Sequence, residues 1–174
     1  MANKQATMDE MLARTARFKE LKSSNQAFLD TRIPGHERDI FNVIGTGVTE
    51  DADLPPAITA AEGFNVTYVG AEPGNGAALH SHPTVEVFIA MSGRWSVFWG
   101  DEGENEVELD QWDVVSVPVG VMRGFRNIGD SHANLMALVG GTDAGKVDWA
   151  ESVLSQAADT GLSLNAEGNL VEGA

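Results

Sequence analysis

The chain has 174 residues, of which 43% are hydrophobic and 21% charged, and it contains no cysteine. This length and composition are typical of one globular domain. The absence of cysteine excludes disulfides, thiolate nucleophiles and zinc–sulfur sites. There is no apolar run long enough to span a membrane, and the charged N-terminus lacks the apolar region of a secretory signal. We therefore expect a cytoplasmic protein.

The net charge is −15, from 26 acidic and 11 basic residues. Such a surface repels the phosphates of nucleic acids and anionic lipids. We therefore expect neither a nucleic acid nor a membrane as a partner, and interpret the acidic excess as a contribution to solubility.

An amphipathic helix is predicted first along the chain, at residues 8–22, where Met8, Leu12, Thr15, Phe18 and Leu21 recur at helical spacing. Pro34 and the glycine after it mark a turn.

Eight short β-type runs follow, separated by clusters of Gly, Asp, Asn or Pro. They are Ile40–Ile44, Phe64–Val69, Val85–Met91, Trp95–Trp99, Glu106–Leu109, Val114–Val117, Gly124–Asn127 and Asn134–Val139. This pattern predicts an all-β sandwich or closed barrel.

A second helix is predicted at residues 148–160, with Asp148 as its N-cap and Gly161 just beyond its end. The chain after it is expected to be extended or loose. We divide the chain into an N-terminal helix and arm (1–35), a β-barrel (36–145) and a C-terminal helix and tail (146–174).

One predicted strand, Val85–Met91, is apolar on both faces apart from Glu86. Its outer face needs cover from a second layer, a terminal helix or a partner subunit. On this basis we expect a homodimer.

A candidate metal site lies in the segment that contains His80 and His82. On an extended strand these two imidazoles project from the same face. Glu86 would lie about 13 Å further along a straight strand, so Pro83 and Thr84 must bend the chain and bring the next strand back beside the first. Two imidazoles and a carboxylate suit one Fe, Mn, Ni, Co or Zn ion with open coordination positions.

The same segment resembles the first motif of the cupin family. That motif is Gly, five residues, His-x-His, three residues, Glu, six residues, Gly, and it is filled by Gly74, His80, His82, Glu86 and Gly93. The resemblance implies the cupin double-stranded β-helix, a jelly-roll barrel, here with short terminal helices. It also implies that the two histidines and the glutamate bind one divalent transition metal.

The second cupin motif is matched with two departures. Its usual form is Gly, five residues, Pro-x-Gly, two residues, His, three residues, Asn. Pro118, Gly120 and Asn127 are in register, whereas Trp112 replaces the first glycine and Arg123 replaces the histidine that is the family's fourth metal ligand.

Arg123 is open to three interpretations, because a guanidinium remains charged and offers only donors. It binds an anionic substrate, such as a carboxylate or enolate, beside a three-ligand metal. Or it pairs with Glu86 and leaves a metal-free pocket. Or a shift in register points it to solvent. We prefer the first, since keeping all three ligands is harder to explain in a site without an ion.

Further candidates are weaker. Trp95 and Phe125 are candidates for substrate binding at the barrel mouth together with Arg123, although aromatic residues in short strands usually pack in the core. His36 could reach a site as part of the N-terminal arm, although such a histidine is more often a loop residue. His132 is expected to be exposed and Arg126 to be a surface or structural residue.

Three functional hypotheses follow. The leading one is a metal-dependent enzyme on a small anionic organic substrate, dioxygenase-like or an isomerase or lyase, in which Glu86 and Arg123 are catalytic. The second is a non-catalytic cupin that binds a small molecule. The third is a metal-free cupin with an Arg123–Glu86 salt bridge. The resemblance implies a site and not a reaction.

Overall fold

The structure is a computed structural model that describes residues 3–172. Residues 1–2 of the predicted N-terminal segment and residues 173–174 of the predicted C-terminal segment lie outside it. It contains two α-helices, two 3₁₀ turns and twelve strands. The helices are α1 (Met8–Leu12) and α2 (Glu151–Asp159), and the 3₁₀ turns are Phe18–Glu20 and Leu29–Arg32. The strands are β1 (Asp39–Ile44), β2 (Phe64–Ala71), β3 (Gly76–Ser81), β4 (Glu86–Ala90), β5 (Trp95–Trp99), β6 (Asn105–Leu109), β7 (Val114–Val117), β8 (Arg123–Asn127), β9 (Ala133–Gly140), β10 (Asp148–Trp149), β11 (Leu162–Leu164) and β12 (Leu170–Glu172).

Ten of these strands form two antiparallel sheets. One sheet has the order β1-β2-β9-β4-β7 and the other the order β10-β3-β8-β5-β6, while β11 and β12 form a separate hairpin. This arrangement is the predicted jelly-roll barrel. In the described part of the chain, neither helix has the length and apolarity needed to cross a membrane.

The core lies between the two sheets, and strands such as β4 and β9 alternate between buried and partly exposed residues. Every second residue of β9 from Ala133 to Val139 is buried. Phe88 of one sheet packs edge-on against Phe125 of the other, with ring centroids 5.2 Å apart. A period of two that buries one face of each strand is the pattern expected of a two-layer β-structure.

The eight predicted strands are all present, with bounds that differ by at most two residues. The predicted N-terminal helix is wrong beyond Leu12. Thr7 and Glu10 form a capping box that starts the helix, but the helix buries none of its residues. A short helix without a packed face is marginal. Phe18 instead packs in a 3₁₀ turn against Phe41 and Tyr68, with ring centroids 5.4 and 6.1 Å away.

The predicted start of the C-terminal helix is also wrong. Asp148 does not cap a helix, because Asp148 and Trp149 pair with Ser81 and His80 of β3. The buried Trp149 ring lies 5.4 Å from the His80 ring. Burial of this aromatic side chain favours strand pairing, and the helix begins only at Glu151.

Glu50 fastens the N-terminal arm to β10. Its carboxylate accepts hydrogen bonds from the backbone N–H of Leu29 and from Nε1 of Trp149, both at 2.7 Å. Burial raises the pKa of Glu50 to about 7, and the two hydrogen bonds oppose this rise. The arm is therefore held to the barrel by a buried acidic group.

Trp112 occupies the turn that leads into β7, and its backbone is in the left-handed region with φ = 76°. It is the one non-glycine residue among residues 3–172 with a positive φ. An L-residue pays about 1–2 kcal/mol for this conformation, which explains why the family motif has glycine at this position. The Trp112 side chain is 67% exposed, so little packing offsets the strain.

We predict that Trp112→Gly raises the free energy of unfolding by about 1 kcal/mol, because relief of strain exceeds the added entropy of the unfolded chain. Urea unfolding followed by circular dichroism measures this change. Val119→Gly is the matched control, since Val119 is 59% exposed and does not have a positive φ. That variant should lose roughly 0.5–1 kcal/mol. A loss of stability in Trp112→Gly would contradict the assignment of strain.

Candidate metal centre

The centre is assembled from both sheets. His80 on β3 lies directly across from Arg123 on β8, and both strands belong to one sheet. Glu86 begins β4, which pairs with β7 and β9 in the other sheet. The bend after His82 therefore carries the chain from one sheet to the other. The prediction that the next strand returns beside the first is wrong, because the side chains converge across the barrel.

His80, His82 and Glu86 are all buried, and one possible ligand atom from each lies within 4.8 Å of the others. The Nε2 atom of His82 and the Oε2 atom of Glu86 are 3.3 Å apart. These separations are compatible with ligands of a single ion at bond lengths near 2 Å. The convergence predicted from the sequence is confirmed, and this group could hold a metal ion.

Hydrogen bonds fix the tautomers of both histidines. His80 donates from Nδ1 to the carbonyl of Ala78 at 2.7 Å. The Thr84 hydroxyl donates to the carbonyl of Ala144 at 3.0 Å, so its oxygen accepts from Nδ1 of His82 at 3.1 Å. Both Nε2 atoms are consequently left with lone pairs. Burial, followed by the charge of Arg123, lowers the pKa of His80 to about 4, which keeps this imidazole neutral.

The guanidinium of Arg123 lies among these groups and is 1% exposed. Nε and Nη2 donate to Oε2 of Glu86 at 3.0 and 2.7 Å, and Nη2 also donates to Nε2 of His82. Nη1 donates to the carbonyls of Val121 and His80 at 3.2 and 3.4 Å. Since a guanidinium has five N–H groups, every donor of Arg123 has an acceptor.

The three ligands suit a divalent ion, whereas this position of Arg123 does not. Nη2 uses the one lone pair of His82 that an ion would need, so this imidazole can bind the guanidinium or an ion, one at a time, whereas the carboxylate of Glu86 has a second oxygen. Burial raises the pKa of Glu86, whereas the charge of Arg123 lowers it, and the pKa lies below its ordinary value. The glutamate is therefore ionised when it is paired with Arg123.

A central cavity of about 40 Å³ opens beside this centre. It is lined by Phe28, Arg38, Ile40, Val48, Thr67, Val69, Ala77, His80, Glu86, Phe125, Ala137, Val139, Val147 and Trp149. Phe125, a candidate for substrate binding, is part of this wall. Trp95, the other aromatic candidate, is not part of this wall. It is fully buried behind Phe125, with ring centroids 5.9 Å apart.

The remaining candidates from the sequence lie away from the centre. His36 is in the loop before β1 and is not part of the wall of the central cavity. His132 is exposed and contacts the carboxylate of Glu72 at 3.2 Å. Arg126 is exposed, with its guanidinium 5.7 Å from the centroid of the Phe98 ring. The surface or structural interpretation of Arg126 agrees with this position.

A second buried ion pair beside the cavity was missed by the sequence analysis. Arg38 donates from Nη2 to Oδ1 of Asp30 at 2.8 Å, and both side chains are almost fully buried. Asp30 lies in the N-terminal arm, in a segment without a recognisable motif. Trp149, which also lines the cavity, lies in a segment predicted as helix. The net charge gives no sign of which few charged residues are buried.

Comparison with known proteins agrees with this architecture. The family model described as a cupin domain matches residues 67–139. Solved structures with the same fold include the polyketide cyclase RemF from Streptomyces resistomycificus (14% identity, TM-score 0.56, covering 77% of this chain and 82% of that one). A cupin 2 domain-containing protein from Halorhodospira halophila is also similar (18% identity, TM-score 0.53, 70% and 77%). No curated protein matches the chain.

An oxalate decarboxylase from Lactobacillus farciminis in complex with formate is a third similar structure, at 16% identity and TM-score 0.56. The match covers 79% of this chain and 36% of that one. At these identities the likeness shows the fold alone. The family match shows a cupin domain at residues 67–139.

We predict that Arg123→Met lowers the free energy of unfolding by about 3–5 kcal/mol, because it leaves the Glu86 carboxylate buried without its cation. Adding Glu86→Gln should restore most of this loss. Denaturant unfolding in the presence of a chelator measures both effects. Arg94→Met is the matched control, since Arg94 pairs with Glu108 on the exposed surface and should cost about 0–1 kcal/mol. Equal costs at the two arginines would contradict the structural importance of the buried pair.

Proposed function

We propose that this cupin is an enzyme that acts on a small anionic organic compound, with one divalent transition-metal ion held by His80, His82 and Glu86. The observation that supports this proposal most directly is the protonation state of the two histidines. Both Nδ1–H groups are used by protein acceptors, so both Nε2 lone pairs remain beside the carboxylate. Fixing of the tautomer through the distal ring nitrogen is typical of histidines that ligate metals.

This function requires the guanidinium of Arg123 to move from its present position. Binding of an ion by all three side chains requires its Nη2 to leave Nε2 of His82, because the same lone pair is needed. The released guanidinium would remain beside the central cavity, where it can bind and orient the negative group of a substrate. In this proposal Glu86 is a ligand and Arg123 is the catalytic residue that positions the substrate, with Phe125 as part of the cavity wall.

The bound ion would supply polarisation of a carbonyl or enolate in an isomerase or lyase, or activation of dioxygen if it is iron. The chain's own residues would bind the substrate and exclude water, since the centre and most of the cavity wall are buried. The same fold in a polyketide cyclase and an oxalate decarboxylase is compatible with an enzyme and does not select the reaction.

A metal-free cupin that binds a small molecule without catalysis is the second candidate. It is favoured by a specific observation, the complete use of the five Arg123 donors within the protein. Arg123 and Glu86 form a neutral pair, and His80 is neutral, so this state has no uncompensated charge. Metal content separates the two candidates.

We predict that the protein purified without chelators contains near-stoichiometric metal by elemental analysis, and that His82→Ala loses it. Arg123→His should bind the same ion at least about a hundredfold more tightly. The reason is that one unit charge near the ion is removed, which is worth several kcal/mol at an effective dielectric constant of about 20. Titration of chelator-treated protein measures this difference.

The outcomes distinguish the candidates. Metal in wild type that is lost in His82→Ala supports the enzyme and directs the substrate screen by the identity of the ion. Metal in Arg123→His alone supports the metal-free candidate, with Arg123 in place of the ion. Failure of both proteins to take up divalent ions would contradict the assignment of His80, His82 and Glu86 as ligands.

The homodimer stays a prediction. Phe18 of the N-terminal arm covers part of the outer face of one sheet by packing on Phe41 and Tyr68. Val114, on the edge strand of the same sheet, remains 56% exposed, which supports association through this face. Sedimentation velocity tests the prediction, and Val114→Glu should shift a dimer to monomer. A wild type that sediments as a monomer at high concentration would contradict it.

A further inference from the structure

Two arginines are buried in this part of the barrel, and they differ in how their donors are used: Arg38 lines the central cavity, and Arg123 contacts Glu86 of the cavity wall. All donors of Arg123 have acceptors within the protein, as described above. Arg38 donates from Nη2 to Asp30 and from Nη1 to the carbonyls of His36 and Gly76. Its Nε is buried and has no hydrogen-bond partner. Buried donors without an acceptor are rare in folded proteins, so this N–H is available to an acceptor that the protein itself does not supply.

The Arg38 side chain is built into the fold and is not a surface group. It is 5% exposed, and its partner Asp30 is fully buried. Its guanidinium carbon lies 5.2 Å from the centroid of the Phe28 ring, and both Arg38 and Phe28 line the central cavity. The position of this cation is thus fixed by an ion pair, two carbonyls and an aromatic ring.

One residue of β3 links Arg38 to the candidate metal centre. The backbone N–H of Ala78 donates to Oδ2 of Asp30 at 2.9 Å, while the carbonyl of Ala78 accepts from Nδ1 of His80 at 2.7 Å. The Asp30–Arg38 pair and the His80 imidazole are therefore separated by a single residue, and Arg38 and His80 both line the cavity. A small molecule in the cavity can contact both.

The cavity limits the size and charge of that molecule. Its volume of about 40 Å³ limits the occupant to a molecule of a few non-hydrogen atoms. Its wall is mainly apolar, apart from Arg38, Thr67, His80 and Glu86. Because Asp30 already neutralises Arg38, a molecule with two negative charges is disfavoured. These limits describe a short carboxylate with an apolar body.

We propose that Arg38 binds the carboxylate of a short monocarboxylate in the central cavity, through its free Nε–H, and so directs the rest of the molecule toward His80 and Glu86. This inference rests on the proposed function for the anionic class of the substrate. It adds the chemical class of the anion and a second binding residue. The apolar wall, which includes Ala77, Phe125 and Val139, accommodates the hydrocarbon part.

The test uses the full-length, metal-free protein with sodium propionate as the probe and propionamide as its neutral analogue. NMR titration should show propionate-dependent shifts at the methyl groups of Ala137 and Val139, which line the cavity. Propionamide should bind at least about tenfold more weakly, because the charge-assisted hydrogen bond is lost.

Arg38→Lys is the decisive variant, since lysine keeps the charge opposite Asp30 but has no Nε–H. We expect propionate to bind it at least about tenfold more weakly. Arg94→Lys is the matched control, because Arg94 makes exposed ion pairs with Glu108 and Asp110. It should bind propionate as wild type does. Ala137→Leu, which fills the cavity and leaves Arg38 intact, should abolish binding and covers the case in which Arg38→Lys does not fold.

Three results would overturn the proposal: equal affinity of wild type and Arg38→Lys for propionate, equal affinity for propionate and propionamide, or no shifts at Ala137 and Val139 at saturating probe. The titration involves neither metal nor turnover. A negative result therefore contradicts the carboxylate site but not the proposed enzyme, which is tested by metal analysis. Conversely, a protein that contains no metal can still bind propionate.

Discussion

The ion pair between Arg123 and Glu86 connects the two sheets of the barrel at its centre. Arg123 lies on β8 and Glu86 on β4, so the pair forms only when the sheets pack with these two strand ends opposite each other. An unpaired buried charge costs several kcal/mol, whereas a paired and fully hydrogen-bonded one does not. The geometry of the centre, including the distance between His82 and Glu86, is therefore set by the requirement to satisfy one buried guanidinium.

The same requirement explains why the N-terminal arm belongs to the site. Arg38 is neutralised by Asp30 of the arm, and Asp30 accepts a hydrogen bond from Ala78 of the barrel. Glu50 adds a third buried acidic group that binds the arm and β10 together. The cavity is thus closed by segments outside the cupin motifs, and its chemistry depends on charged residues that those segments supply.

The sequence was sufficient to predict the barrel and the convergence of His80, His82 and Glu86, because strand period and motif spacing are local properties. It did not predict that β4 joins the opposite sheet, since a bend after His82 is compatible with either sheet. The helix predicted over Asp148 failed because pairing of Trp149 with β3 is a long-range interaction. The Asp30–Arg38 pair was missed for the same reason, as neither residue falls in a periodic or motif-bearing segment.

The two departures from the second cupin motif have different physical consequences. Trp112 adds conformational strain to one turn, because its backbone has the left-handed conformation that glycine would adopt without strain. Arg123 changes the chemistry of the centre, because it places a permanent cation beside side chains that could hold a metal ion. Asn127 keeps a structural role, donating to the carbonyls of Ala71 and Ser131. The filled positions of the two motifs therefore support the fold. The chemistry of the centre depends on position 123, where arginine stands in place of the motif's histidine.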